Sequence, residues 1–172
     1  MRLPDVIVIR GAPGAGKSEA ARGLAARLGV GVRFEVDTLR SMVIPVDWTN
    51  QAEHIGVLAL AAELAIGFLG MGHRPVIVID TFSGDKLAKF LADVQRSRPG
   101  TTVRSFALVP DQERLRARVL GRPDDQFKDV RICAKLNADV PRRLLPGETM
   151  IDNSTRSSDE TVDAILADCA TA

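Results

Sequence analysis

Cysteine is scarce: the 172 residues hold two, Cys133 and Cys169. Two are too few for a disulfide framework and fit a compartment that keeps both as thiols. Neither has a Cys or His neighbour at metal-ligand spacing, which argues against a zinc site. A charge excess of either sign is also missing, since 23 Lys and Arg stand against 22 Asp and Glu for a net of +1. No general field therefore draws the chain to nucleic acid or to a membrane, and only a local patch would do so. The most apolar stretch, Ile55–Leu69, carries Glu63 and Gly67 and is short for a bilayer span. Met1–Asp5 includes Pro4 and Asp5, with no apolar region leading to a small-residue cleavage site, so no export signal is expected there. These absences set an expectation of a soluble cytoplasmic protein, monomeric or homodimeric, with no membrane partner.

What remains is ordinary globular material, 45% hydrophobic, 26% charged and 4% aromatic. The length suits a single domain over residues 1–172, and a chain of this size buries roughly 70% of its unfolded surface. Val6-Ile7-Val8-Ile9 and Val76-Ile77-Val78-Ile79 are continuous apolar runs, as expected of parallel strands covered on both faces. Further strands are predicted over Gly31–Val36, Val103–Val109 and Thr149–Asp152. Helical patterning covers Lys17–Leu28, Thr38–Val43, Ala52–Leu69, Asp85–Arg96, Asp111–Leu120, Asp129–Asp139 and Ser158–Asp168, the last with Ser158 as N-cap. Strand alternating with helix argues for an α/β domain with a mainly parallel sheet and right-handed crossovers. There is no internal repeat, and the one linker-like stretch, Pro141–Gly147, is too short to separate domains.

Between the first strand and the first helix lies Gly11-Ala12-Pro13-Gly14-Ala15-Gly16-Lys17-Ser18, a match to G-x-x-x-x-G-K-[ST] in its required context. Glycines let successive backbone N–H groups converge on phosphate oxygens. The helix that starts near Gly16 adds its positive dipole end. Lys17 supplies a cation to the β- and γ-phosphates, and the Ser18 hydroxyl is suited to ligate Mg²⁺. The motif implies a bound nucleoside triphosphate without deciding the fate of its γ-phosphate. A GTPase base-reading motif (N/T-K-x-D) is missing, as is the L-S-G-G-Q signature, and the chain is short for a transporter ATPase or a ring motor.

This loop, Val36-Asp37-Thr38-Leu39-Arg40, Ile79-Asp80-Thr81 and Ile151-Asp152-Asn153-Ser154 together resemble the P-loop small-molecule kinases of the adenylate/shikimate kinase type. Within that group the spacing is most similar to chloramphenicol phosphotransferase-like proteins and to polynucleotide 5′-hydroxyl kinases. The resemblance implies a three-layer P-loop NTPase fold, a five-stranded sheet in the order 2-3-1-4-5, a short lid, and in-line transfer of the γ-phosphoryl of Mg²⁺-ATP to a hydroxyl.

The carboxylates support a compatible assignment. Asp37 and Asp80 each follow an apolar strand, at the carboxyl edge where α/β sheets bind ligands. Asp80 is expected in the Mg²⁺ shell and Asp37 as the base that orients and deprotonates the acceptor. The two roles are open to exchange, and Asp37 is alternatively a cap for the helix that follows. Arg40 falls where the resembling kinases place an arginine that contacts substrate or phosphate; a solvated helix position is the other reading. Arg114, Arg118 and Arg122 recur every four residues and would share one face of a continuing helix. They are either lid cations over the transferring phosphoryl, with a lid at about 121–128, or a solvated face. Trp48 and Asp47 are candidates for an acceptor-pocket wall and its polar anchor, the alternative being that Trp48 packs the next helix. Thr81, Phe82 and Ser83 are expected to line the same cleft. In the resembling kinases the loop Asn153–Arg156 borders adenine, where Arg156 would stack. His54 and His73 lack a partner pattern and read as structural or exposed. The expected partners are a nucleoside triphosphate and a small-molecule acceptor. A polynucleotide 5′-hydroxyl kinase and a regulatory nucleotide-binding module with little turnover are the competing functions.

Overall fold

The β-branched runs fold into the middle of a five-stranded sheet in a computed structural model that describes residues 3–124 and 126–170. Met1 and Asp125, both named in the sequence reading, lie outside the described residues. The strands are β1 (Val6–Arg10), β2 (Val32–Glu35), β3 (Val76–Asp80), β4 (Val103–Leu108) and β5 (Thr149–Ile151), in the order β2-β3-β1-β4-β5. Every pairing is parallel, so the order that the resemblance implied holds and the sheet has no antiparallel member among the described residues. Every residue of β1 and β3 is buried, which explains why these strands read as unbroken apolar runs.

Alternation along each strand separates two cores. Val6, Val8, Val76 and Val78 face a layer built by α3 (Gln51–Gly70) and α4 (Lys86–Ser97), including Leu58, Leu69 and Phe90. Ile7, Ile9, Ile77 and Ile79 face α1 (Lys17–Leu28) and α7 (Ser158–Ala170), with Leu24, Val162 and Ile165. A third, smaller cluster joins α5 (Gln112–Leu120) and α6 (Val130–Asp139) through Leu115, Val119 and Cys133. By length and composition alone α3 would cross a membrane, but seven of its side chains, among them Val57, Ala61 and Ala65, are buried within the fold.

Local differences from the sequence reading have physical causes. Val36 starts α2 (Val36–Arg40) instead of ending β2, because its side chain is drawn into the core while Glu35 stays extended at the N-cap. The linker-like stretch contains a 3₁₀ turn, Val140–Arg143, with Pro141 in its first positions, where a missing N–H does no harm. The cap of α7 is Ser157, not Ser158. Its hydroxyl accepts from Glu160 N at 3.2 Å and the Glu160 carboxylate accepts from Ser157 N at 2.7 Å, a reciprocal capping box.

The end of β1 is anchored by a buried ion pair. Arg10, 1% exposed, donates Nε to Glu148 Oε1 at 2.5 Å and Nη2 to Glu148 Oε2 at 2.8 Å. Its Nη2 also donates to Arg143 O at 2.9 Å, and Glu148 Oε2 accepts from Leu145 N at 3.0 Å. This two-pronged contact ties the residue before Gly11 to the segment leading into β5.

Candidate active site

The strand-to-helix turn at residues 11–18 is shaped by its glycines. Gly16 precedes α1 with φ 94° and ψ 14°, a left-handed conformation that side-chain-bearing residues rarely adopt. A Cβ on Gly11 would come within 2.6 Å of Leu108 O, so only glycine passes there. No side chain caps α1, which leaves its first-turn N–H groups available to an anion. The turn is braced from behind: Ala15 O accepts from Asn153 Nδ2 at 2.9 Å and from Arg118 Nη1 at 3.4 Å, while Arg118 Nη2 donates to Asn153 O at 3.1 Å.

Lys17 folds over this turn and donates Nζ to Gly11 O at 2.9 Å and Ala12 O at 3.1 Å. Burial pulls its pKa below the ordinary lysine value, against the opposing charges of Asp80 and Asp37. The Ser18 hydroxyl donates to Glu35 Oε2 at 2.9 Å. A cleft of about 510 Å³ opens here, and its walls include Lys17, Ser18, Glu35, Asp37, Asp80, Thr81, Arg118 and Arg122.

The two acids differ. Asp80 is 4% exposed. Its Oδ1 faces His54 Nε2 at 3.2 Å and its Oδ2 accepts from Phe82 N at 2.7 Å. Burial would raise its pKa, but His54 and the Phe82 amide outweigh that and hold the carboxyl below the ordinary value. Asp37 sits in the first turn of α2, and among the described residues no side-chain hydrogen bond caps that helix. It is solvent-accessible at the cleft wall. Partial burial in the cleft and the negative charge of Asp80 push its carboxyl up, with Lys17 opposing.

Donors for a divalent cation are present. Ser18 gives its proton to Glu35 and so keeps oxygen lone pairs, and Asp80 and Glu35 stand in the same cleft. Among the described residues, no group of three or more His, Cys, Asp or Glu makes a self-sufficient metal cage. Mg²⁺ needs none, because it retains waters and takes phosphate oxygens alongside one or two protein ligands. The donor set fits.

Several expected residues lie elsewhere. Arg40 is buried at 4% exposure, with its guanidinium 4.9 Å from the Trp48 ring centroid, Nη2 donating to Asp47 O at 3.1 Å and Glu53 at 3.9 Å. The face of the Trp48 ring is taken by this cation and not by the cleft. Asp47 turns its carboxylate back on Thr49, at 2.9 Å from the amide and 2.6 Å from the hydroxyl. Arg40, Asp47 and Trp48 thus form a cluster of their own and none lines the cleft. Arg40→Ala is expected to cost about 1–3 kcal/mol by removing the donor to Asp47 O and the cation beside half-buried Glu53, read from urea denaturation, with ATP affinity unchanged.

The arginine stripe divides. The helix α5 stops at Leu120, so Arg122 lies past its end and not on a continuing face. Arg122 still reaches the cleft and donates to Gln126 Oε1 and Phe127 O, both at 2.9 Å. Arg118 lines the cleft, whereas Arg114 is exposed away from it. Of Thr81, Phe82 and Ser83, only Thr81 reaches the cleft; Phe82 is buried in the core against Phe90. Arg156 donates to Asp152 O at 3.1 Å and borders a small recess shared with Gly16, Arg118 and Asn153. His73 is exposed, while His54 is buried against Asp80. Sequence reasoning missed Glu35, although the spacing Glu35-Val36-Asp37 was a usable signal for a second acid at the same sheet edge.

A family model described as AAA domain matches residues 6–143. Solved structures give the same architecture. A sugar kinase from Janibacter sp. HTCC2649 has a TM-score of 0.71 at 16% identity, with 95% of this chain and 93% of that one covered. A gluconokinase from Sinorhizobium meliloti 1021 has a TM-score of 0.70 at 21% identity, over 99% and 94% of the two chains. Shikimate kinase from Acinetobacter baumannii, in complex with shikimate, has a TM-score of 0.63 at 15% identity, over 98% and 94%. At these identities the likeness is one of fold. No curated protein matches the chain by sequence.

Proposed function

From the premise that this chain belongs to the AAA domain family, we propose that it is a phosphotransferase that moves the γ-phosphoryl of ATP to a hydroxyl of a small-molecule acceptor. The observation that carries this reading is one cleft that holds the phosphate turn, Lys17 and Ser18 together with Asp37 and Asp80. The N–H groups of the turn and Lys17 hold the phosphates. Ser18, Glu35 and Asp80 would hold Mg²⁺, which would supply neutralisation of charge on the phosphate oxygens. Asp37 orients the acceptor hydroxyl and takes its proton. Arg118 and Arg122 bring guanidinium groups to the phosphoryl from the α5 side. Holding both reactants in line supplies most of the acceleration, an effect of about 7–11 kcal/mol in favourable cases.

The balance of charge favours a small acceptor over a polynucleotide. The cleft wall carries four basic residues (Lys17, Arg22, Arg118, Arg122) and four acidic ones (Glu19, Glu35, Asp37, Asp80), not the basic groove that a phosphate backbone needs. A panel of neutral, cationic and anionic alcohols and oligonucleotides, scored for ADP release above the acceptor-free background, tests the reading. A small alcohol is expected to stimulate release. Stimulation by oligonucleotides alone, falling steeply with salt, speaks for the polynucleotide reading, and no stimulation by any member speaks for a regulatory module.

A pH dependence follows. A base must be ionised to act, and Asp37 keeps its proton to a higher pH than a free carboxyl because its pKa is raised. The acid limb of acceptor-dependent kcat/KM is therefore expected above the value near 3.9 of an unperturbed aspartate. A pH profile of the wild-type protein measures it; a limb at or below that value removes Asp37 from the role.

A further inference from the structure

Two ionisable side chains that do not themselves line the cleft are buried behind its wall. His54, in the first turn of α3, and Lys86, at the start of α4, are each 6% exposed. Lys86 Nζ lies 2.7 Å from Gln51 Oε1, 3.0 Å from His54 Nδ1 and 3.3 Å from Ser83 Oγ. An ammonium group has three protons and no lone pair, so it matches these three acceptors and obliges His54 Nδ1 to accept. A neutral imidazole then carries its proton on Nε2, the nitrogen that faces Asp80 Oδ1 at 3.2 Å.

The second oxygen of Asp80 is held independently. Phe82 N donates to Oδ2 at 2.7 Å, from a residue at φ 47°, a strained setting for an aromatic. Its ring packs against Phe90 with centroids 5.3 Å apart, which keeps that backbone in place. One donor fixes a carboxylate at a point about which it still rotates; two donors on different oxygens fix its plane. The only side-chain donor to Asp80 is thus His54, among the described residues.

We propose that His54, kept in its Nε2–H form by Lys86, is a positioning residue for Asp80 and sets the rotation of that carboxylate at the cleft wall. The proposal rests on the reading of Asp80 as part of the Mg²⁺ shell. Neither His54 nor Lys86 touches the reacting groups. A hydrogen-bonded partner that orients an acid beside a metal typically changes metal affinity by about 10–100-fold when removed.

The test uses the full chain and two measurements that need no acceptor. In the ligand-free protein, ¹⁵N shifts of the His54 ring are expected to show a neutral imidazole with its proton on Nε2. Lys86→Met is expected to release that constraint and populate the other tautomer. Calorimetry then gives the Mg²⁺ concentration at which tightening of ATP binding is half complete. His54→Leu is expected to raise it about 10-fold or more, whereas His54→Gln, which keeps one donor and one acceptor, stays within about 3-fold of wild type. Lys86→Met, the safeguard should His54→Leu fail to fold, is expected to raise it in the same direction by a smaller factor. A proton found on Nδ1 in the wild-type protein overturns the proposal. So does an unchanged Mg²⁺ requirement in folded His54→Leu, or in Lys86→Met once its tautomer has changed. A wild-type protein that binds Mg²⁺-ATP with these dependences yet phosphorylates no acceptor sinks the phosphotransferase reading and leaves the positioning role standing.

Discussion

Asp37→Asn is expected to lower acceptor-dependent turnover by about 10²–10⁴-fold while ATP affinity stays within a factor of about two. Asparagine keeps the size and one oxygen of the side chain but cannot take a proton. Among the described residues no hydrogen bond ties the Asp37 carboxylate to the protein, so its removal breaks no structural contact. Its charge is unfavourable for the ligand-free fold. A carboxyl whose folded pKa is raised lowers stability above that pKa, and the penalty vanishes once the pH falls below the unfolded value. Asp37→Asn should therefore melt at or above the wild-type temperature at neutral pH. Loss of turnover with retained or increased thermal stability separates a missing base from a damaged fold. Steady-state kinetics, ATP titration and thermal unfolding on the same preparation supply the comparison.

Glu148→Ala carries the largest expected effect on stability. It strips the partner from a guanidinium that is almost wholly buried one residue before the phosphate turn. Removing one member of a buried pair strands the other charge in a low dielectric, at about 3–5 kcal/mol. Set against a total stability of about 5–15 kcal/mol for a domain, that is a large fraction. Glu148→Gln keeps the volume and an acceptor for Leu145 N, so it should fall between Ala and wild type. Urea unfolding gives the difference as a shift in midpoint. Because Arg10 adjoins Gly11, ATP at about 100 times its Kd should restore up to roughly 2.7 kcal/mol by mass action. A midpoint unchanged by Glu148→Ala would mean that the pair contributes nothing to folding.

The parts of this molecule that were legible in the sequence are those whose physics is local. Unbroken β-branched runs reported strands covered on both faces, and the glycine spacing of residues 11–18 reported a backbone turned toward an anion. Asp37 and Asp80 could be expected in one cleft, which both line, because each follows such a run and strand ends converge at one edge of a parallel sheet. What stayed hidden depends on contacts between distant residues. Arg10 and Glu148 are 138 positions apart, and nothing in either neighbourhood announces a partner. The chain from Lys86 through His54 to Asp80 joins α4, α3 and β3, so a lone histidine on an apolar helix gave no pattern to read. Arg40 lies outside the cleft for a different reason. Its position within the kinase-like motif pointed to phosphate, but its guanidinium lies over the Trp48 ring, donates to Asp47 O and stands 3.9 Å from Glu53. Arg122 left the α5 stripe because Gly121 and Pro123 end the helix before it.

The most direct test follows the phosphorus itself. With ATP labelled in the γ-phosphoryl group, Mg²⁺ and a hydroxylated acceptor that stimulates ADP release, a single turnover is quenched and the labelled species are separated. Label is expected in an acceptor phosphomonoester in wild type, with almost none in Asp37→Asn. Label recovered only as inorganic phosphate, at one rate with or without acceptor and in both proteins alike, would contradict a transfer that Asp37 directs.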